Sequence, residues 1–124
     1  MTKKIKKGLK EKLLSGAHDP RGSLLSALAS ASRIEILKLL QEGEKRVGEL
    51  VSRLNLDQSV VSRHLAILRD AGLVVSRREG LNVYCGIADK RVFEILDLVS
   101  EILKSSWEKK RKTLESLIGK PLKG

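Results

Sequence analysis

Apolar positions along this chain follow a helical period up to Gly72, an extended one to about Ile87, and a helical one again from Asp89. Residues 3–14 place Ile5, Leu9 and Leu13 about one turn apart, which predicts a short amphipathic helix ended by Ser15-Gly16. His18-Asp19-Pro20-Arg21-Gly22 reads as a turn, because Pro20 and Gly22 punctuate it. From Ser23 to Gln41 apolar residues recur at Leu24, Leu28, Ile34, Leu37 and Leu40. That spacing predicts helix with a break near Ser30-Ala31-Ser32, where Ser30 or Ser32 can cap the second part. Val47 to Leu54 has the spacing of another short helix, and only Asn55-Leu56-Asp57 separates it from the next, Gln58 to Ala71. Two short helices joined so closely outline a helix-turn-helix.

Beyond Gly72, Leu73-Val74-Val75-Ser76-Arg77 and Asn82-Val83-Tyr84-Cys85-Gly86-Ile87 flank a tip at Arg78-Glu79-Gly80-Leu81, the composition of a β-hairpin. Asp89 then stands where it can cap a long helix whose seam runs Val92, Leu96, Val99, Leu103 and Trp107. Lys110 interrupts the seam, Leu114 and Leu117 resume it, and Gly119 and Pro121 end it. The expected class is mainly α with a β-hairpin wing (α+β). A basic N-terminal helix or arm over 1–22 precedes a folded domain over 23–105, and a basic extension of the last helix covers 106–124.

On a wheel of about 100° per residue, Gln58 to Ala71 separates into two faces. Val60, Val61, Leu65, Ile67, Leu68 and Ala71 fall on one side, and Gln58, Ser59, Ser62, Arg63, Ala66, Arg69 and Asp70 on the other. Asp57 can cap the N-terminus, Leu56 and Val61 can form a staple, and Gly72 suits a left-handed position after the helix. On the polar face Ser59, Ser62 and Ala66 are small while Gln58, Arg63 and Arg69 are long. Such a face lets the backbone approach base edges in a major groove, with donors at its sides for bases or phosphates. A plain solvated face is the competing reading. Arg77 and Arg78 near the hairpin tip would add a wing that reaches neighbouring phosphates. His64 lies within the apolar arc and is expected to be packed and hydrogen-bonded instead of touching DNA.

Charge refines this picture by its location. The 124 residues carry 25 Lys and Arg against 15 Asp and Glu, a net charge of +10. Residues 1–14 hold +5 and residues 104–124 another +5, so the stretch between them is neutral overall. The ends therefore supply general attraction to a polyanion, or solubility alone, while any selective contact belongs to local features of the centre. Three aromatics, Tyr84, Phe93 and Trp107, are too few for a base-stacking platform and leave the core to Leu, Ile and Val. One cysteine excludes an internal disulfide, and no stretch approaches the ~20 apolar residues of a membrane span, so a cytoplasmic location without membrane contact is expected. Cys85 shares a strand face with Val83 and Ile87, where a small buried thiol is expected. With two histidines in unrelated settings and no glycine-rich phosphate loop, nothing assembles an active site or calls for a cofactor.

Three blocks, "LASASRIEILKLL", "VGELVSRLNLDQSVVSRHLAILRDAGLV" and "SRREGLNVYCGI", together resemble the winged-helix repressors of the ArsR/SmtB family over about residues 24 to 103. The resemblance implies a winged helix-turn-helix homodimer whose terminal helices form the interface, here through Leu24, Leu28, Val92, Leu96, Val99, Leu103 and Trp107. It implies that Gln58, Ser59, Ser62 and Arg63 fall on DNA-contacting positions, with Arg69 and the wing residues Arg77 and Arg78 beside them. Two such readers would favour an inverted-repeat, palindromic operator in double-stranded DNA.

The family's metal sensing is where the chain departs. The helix that elsewhere carries cysteines corresponds to Arg46-Val47-Gly48-Glu49-Leu50-Val51, and no histidine follows His64 to build the alternative site. The usual metal-sensing ligands are thus lacking and no metal is expected. Ala31 also replaces the family's usual proline. The expected function is that of a sequence-specific double-stranded DNA-binding transcriptional regulator, a homodimeric repressor with a non-metal or unidentified signal, any small-molecule or redox effector being unknown. The alternative is a winged helix that uses its arginines to bind an acidic protein partner.

Overall fold

The computed structural model describes residues 19–122, and the expected basic helix over 3–14 lies outside them. Within them the order is α1 (Pro20–Leu28), α2 (Ala31–Gln41), β1 (Lys45–Arg46), α3 (Val47–Leu54), α4 (Gln58–Asp70), β2 (Val74–Glu79), β3 (Asn82–Ile87) and α5 (Arg91–Ile118). The chain divides into two compact units at Asp89/Lys90.

Helix boundaries follow local chemistry, with some corrections to the sequence reading. The stretch from Asp19 to Gly22 is a helix start and no turn: the Asp19 side chain accepts from the Arg21 amide at 2.9 Å, and Pro20 occupies the first turn, where its missing N–H costs nothing. The break falls at Ala29-Ser30, and Ser30 caps α2 by accepting from the Arg33 amide. Asn55, the one non-glycine at positive φ among the described residues, takes the left-handed conformation that ends α3 and lets the chain turn into α4. Asp57 occupies the N-cap of α4, but its side chain makes no capping bond. At the other end Gly72 (φ +78°) closes a Schellman motif: its amide bonds Arg69 and the Leu73 amide bonds Leu68, each at 2.9 Å. The N-cap of α5 is Lys90, one residue beyond the expected Asp89.

In the first unit, α2, α3 and α4 pack on one another and on a three-stranded antiparallel sheet of order β1-β3-β2. Its core is aliphatic, as the scarcity of aromatics requires: Ile36 and Leu37 of α2, Leu50 of α3, and Val61, Leu65 and Leu68 of α4 are almost wholly buried. Ile67 departs from the expected apolar face and is exposed, because it sits about 200° around the helix from Leu65. β2 and β3 pair from Val74↔Ile87 to Glu79↔Asn82, which leaves the two-residue turn Gly80-Leu81. Positive φ at Gly80 alone fits a type II′ hairpin, whose twist matches that of the strands. The wing is therefore regular to its tip, and Arg78 is a strand residue.

The helices of this unit are also tied by one side chain. Arg33 of α2 donates from Nε to the Ala27 carbonyl at 2.6 Å and from Nη2 to the Ser26 carbonyl at 3.2 Å, two acceptors in the last turn of α1. Its Nη1 lies 3.2 Å from Nδ1 of His64 on α4. A guanidinium satisfies helix-end carbonyls and complements the negative end of the dipole, so one residue joins three helices.

The second unit is α5, 28 residues and about 42 Å long. It ends at Gly119, whose φ of +75° and amide bond to the Glu115 carbonyl stop the helix as expected. Val92 is buried, whereas Val99, Leu103, Trp107, Leu114 and Leu117 are exposed, as are the neighbouring Leu98, Ile102 and Ile118.

Replacing Arg33 with alanine leaves the α1 carbonyls and His64 without this donor and should lower the unfolding free energy by about 1.5–3 kcal/mol. Urea denaturation of the two proteins measures the difference, and equal midpoints would show that the three-helix link carries no stability.

Candidate nucleic-acid interface

The outward face of α4, the N-terminal end of α3 and the wing border one concavity of about 370 Å³. α4 contributes Gln58, Ser62 and Arg69, the wing contributes Arg78 and Asn82, and Arg46 closes the side next to α3. Four residues expected from the sequence to face DNA, Gln58, Ser62, Arg69 and Arg78, thus meet around one recess. Ser59 and Arg63 are exposed on α4 outside it. Sequence reading of the interface leaves out Arg46 and Asn82. The missing signal is strand pairing, since Arg46 is brought beside the wing by its register with Tyr84 in β3.

Alternation along β2 separates the two wing arginines. Ser76 and Arg78 pair with Cys85 and Val83 on one face, while Arg77 pairs with Tyr84 on the other. Arg77 is engaged there: its guanidinium lies 4.4 Å from the Tyr84 ring centroid, bonds Glu44 at 2.6 Å and also pairs with Glu79. Those carboxylates push the Arg77 pKa further up, and Arg77 in turn holds the Glu44 carboxyl below its usual range. The Arg78 side chain, by contrast, makes no hydrogen bond or ion pair among the described residues and lies open on the concavity. The two adjacent arginines are therefore not equivalent.

Arg69 is fixed to the wing. Its Nη1 donates to Ser76 Oγ at 3.1 Å, and Ser76 Oγ lies 3.5 Å from Cys85 Sγ. Cys85 is fully buried, as its place in the strand alternation predicts. On the inner side of α4, His64 is half-buried against Arg33. A guanidinium offers only donors, so Nδ1 must accept and the proton resides on Nε2. Desolvation by burial, followed by the charges of Arg33 and Arg63, pushes the His64 pKa below its usual 6.5.

Comparison with known proteins accounts for this arrangement. Residues 30–76 match the model of the bacterial regulatory proteins of the arsR family. The chain is 42% identical over 79 residues to the transcriptional activator HlyU of Vibrio cholerae, a stretch that covers 64% of this chain and 73% of HlyU. It belongs to the ArsR family. It is also 43% identical over 83 residues to the transcriptional repressor SmtB of Mycobacterium tuberculosis, covering 66% of this chain and 62% of SmtB. The solution structure of a homodimeric winged helix-turn-helix DNA-binding domain from Mycobacterium bovis superposes with a TM-score of 0.62 at 32% identity, over 69% of this chain and 80% of that one.

Family membership makes the fold a winged helix-turn-helix, with α3 and α4 as the helix pair and β2 and β3 as the wing. ArsR-family proteins are transcription regulators and not enzymes. Among the described residues no three His, Cys, Asp or Glu side chains gather in a metal-binding group, and no helix is long and apolar enough to cross a membrane.

The lowered His64 pKa sets a direction for stability. The folded chain binds a proton at His64 less readily than the unfolded one, so this contribution is complete above pH 6.5 and is lost as pH falls through the folded value. An NMR titration should place the His64 midpoint below 6.5. In a His64→Gln protein, the part of the stability loss below pH 6.5 that belongs to this residue should vanish. A midpoint at or above 6.5 would contradict the Arg33–His64 geometry.

Proposed function

We propose that this ArsR-family chain is a sequence-specific double-stranded DNA-binding regulator that acts as a homodimer on an inverted-repeat operator and represses by occluding a promoter. The observation that carries the reading is the polar face of α4 as a reader: Ser59 and Ser62 keep it low, while Gln58 and Arg63 supply long donors with no competing partner among the described residues. Small residues allow close approach to base edges, and free donors meet bases without first breaking internal bonds. Gln58, Ser59, Ser62 and Arg63 read the major groove, Arg69 braces α4 on the wing, and Arg78 meets the adjacent backbone. Arg77 serves the wing's own structure more than DNA, because Glu44 and Glu79 already neutralise it.

Dimerisation is supported by the exposed apolar residues of α5. Val99, Leu103 and Trp107 continue the seam, and Trp107 is 65% exposed in the single chain. A contiguous apolar stripe of that size on an isolated helix calls for a partner, and a second copy gives the twofold arrangement that an inverted repeat mirrors. Leu96, half-buried on α5, belongs to the same proposed seam, and Leu24 on α1 is half-buried, whereas both Leu28 and Val92 are already buried within the chain. Repression is the reading that the likeness to the repressor SmtB supports, while HlyU, which the chain also resembles, is an activator. The releasing signal is a non-metal one, as the replacement of the family's cysteines by residues 46–51 suggests. The place of action is the cytoplasm, where such a protein meets DNA.

Selection of bound genomic fragments by purified protein should recover an inverted repeat and, with it, the regulated promoter. Alanine at both Ser62 and Arg63 should then cut the preference for that site over random duplex by about 1–3 kcal/mol for each base pair that is no longer read. An unchanged ratio removes α4 as the reader. Absence of any salt-sensitive duplex binding favours an acidic protein partner instead.

A further inference from the structure

The eight arginines between Asp19 and Asp89 divide by what their side chains touch. Arg21 is paired with Asp19, Arg53 with Glu42, and Arg77 with Glu44 and Glu79. Arg33 is spent on helix-end carbonyls and His64, and Arg69 on Ser76. The side chains of Arg46, Arg63 and Arg78 alone make no hydrogen bond or ion pair among the described residues, and two of these three border the concavity beside α4.

Arg46 has the least structural reason for its charge. It occupies the N-cap of α3, a position at the positive end of a helix dipole where a cation is disfavoured and a capping oxygen preferred, and its side chain makes no capping bond. It is exposed, and it forms the wall common to two recesses: the one shared with Gln58, Ser62 and Arg78, and a second of about 330 Å³ lined by Gly48, Glu49, Ser52, Arg53 and Asn82, where the Glu49 carboxylate makes the second recess the less favourable of the two for an anion. Pairing of Lys45-Arg46 with Tyr84-Cys85 fixes its backbone in the sheet, so its position relative to the wing is set before any ligand arrives.

We propose that Arg46 is a phosphate anchor that, together with Arg78, holds the DNA backbone where it passes between the wing and the start of α3. This inference rests on the reading of α4 as a DNA reader. A planar guanidinium with all its donors free matches a phosphodiester, and the local helix dipole, which disfavours the lone cation, is compensated once an anion lies against it. An anchor of this kind fixes register on the duplex without reading sequence, in contrast to Ser62 and Arg63.

The test measures binding of the full chain and of Arg46→Gln and Arg46→Lys proteins to a random-sequence duplex of about 30 base pairs, long enough for two half-sites, across a salt series. Arg46→Gln should lower the slope of log affinity against log salt by about 0.9 per bound protomer and weaken specific and random duplexes by the same factor. Arg46→Lys keeps a positive charge and should restore the slope. Thermal melting of the free Arg46→Lys protein should match the parent, and that of Arg46→Gln should match or slightly exceed it, because Arg46 is exposed and unpaired and its charge is disfavoured at the start of α3. A parent that binds with an Arg46→Gln slope equal to its own overturns the anchor and leaves the DNA reading standing; a slope reduced equally in the Lys variant also overturns it. A parent with no salt-dependent duplex affinity overturns the DNA reading and this inference with it.

Discussion

Presenting a helix to a groove requires that its angle be fixed, and an aliphatic core is a poor instrument for fixing angles. Burial of Ile36, Leu37, Leu50, Val61, Leu65 and Leu68 drives α2, α3 and α4 together, but hydrophobic attraction is non-directional. Directional bonds must set the orientation, and they sit around α4. Arg33 holds His64 from behind while binding the end of α1, Arg69 holds the wing through Ser76, and the Gly72 turn commits the chain to leave the helix toward β2. The polar face between these fixings is left without internal bonds. Rigidity of α4 and availability of its polar donors thus come from different residues, His64 and Arg69 for the first and Gln58, Ser59, Ser62 and Arg63 for the second.

A second constraint concerns charge. The segment between the basic ends is neutral in sum, which on its own argues against a polyanion partner. Neutrality is nevertheless reached unevenly: carboxylates occupy Arg21, Arg53 and Arg77, while Arg46, Arg63 and Arg78 have none. The arginines left unpaired are thus ones on or beside α4. A surface pair of this sort adds little stability, so the consequence of Glu44 and Glu79 lies mainly in which guanidinium they remove from the surface that faces a ligand.

How much of this the sequence carries depends on the range of the interaction. The helix-turn-helix, the hairpin and the long last helix follow from period and punctuation, which are local, and Gly72, Ser30 and Gly119 end or begin helices where their chemistry requires. Asp19-Pro20 is legible as a helix start as well as a turn, and the capping bond to Arg21 decides between them. Ile67 shows the limit of a two-sided wheel: its type groups it with the apolar face although its angle places it among the exposed positions. Pairings distant in sequence are what the pattern leaves out. Nothing local links Arg77 to Glu44 or Arg33 to His64, separated by 33 and 31 positions.

The same distinction separates Arg77 from Arg78. In sequence they form one basic dipeptide near a hairpin tip, and their types are identical. Strand alternation sends them to opposite faces, and only on one of those faces does a carboxylate from the turn before β1 arrive. Availability of a charge is therefore a tertiary property even where its position is a secondary one. For a small DNA-binding fold this matters more than the count of basic residues, since affinity depends on cations free to replace counterions and an arginine already held by two carboxylates releases none.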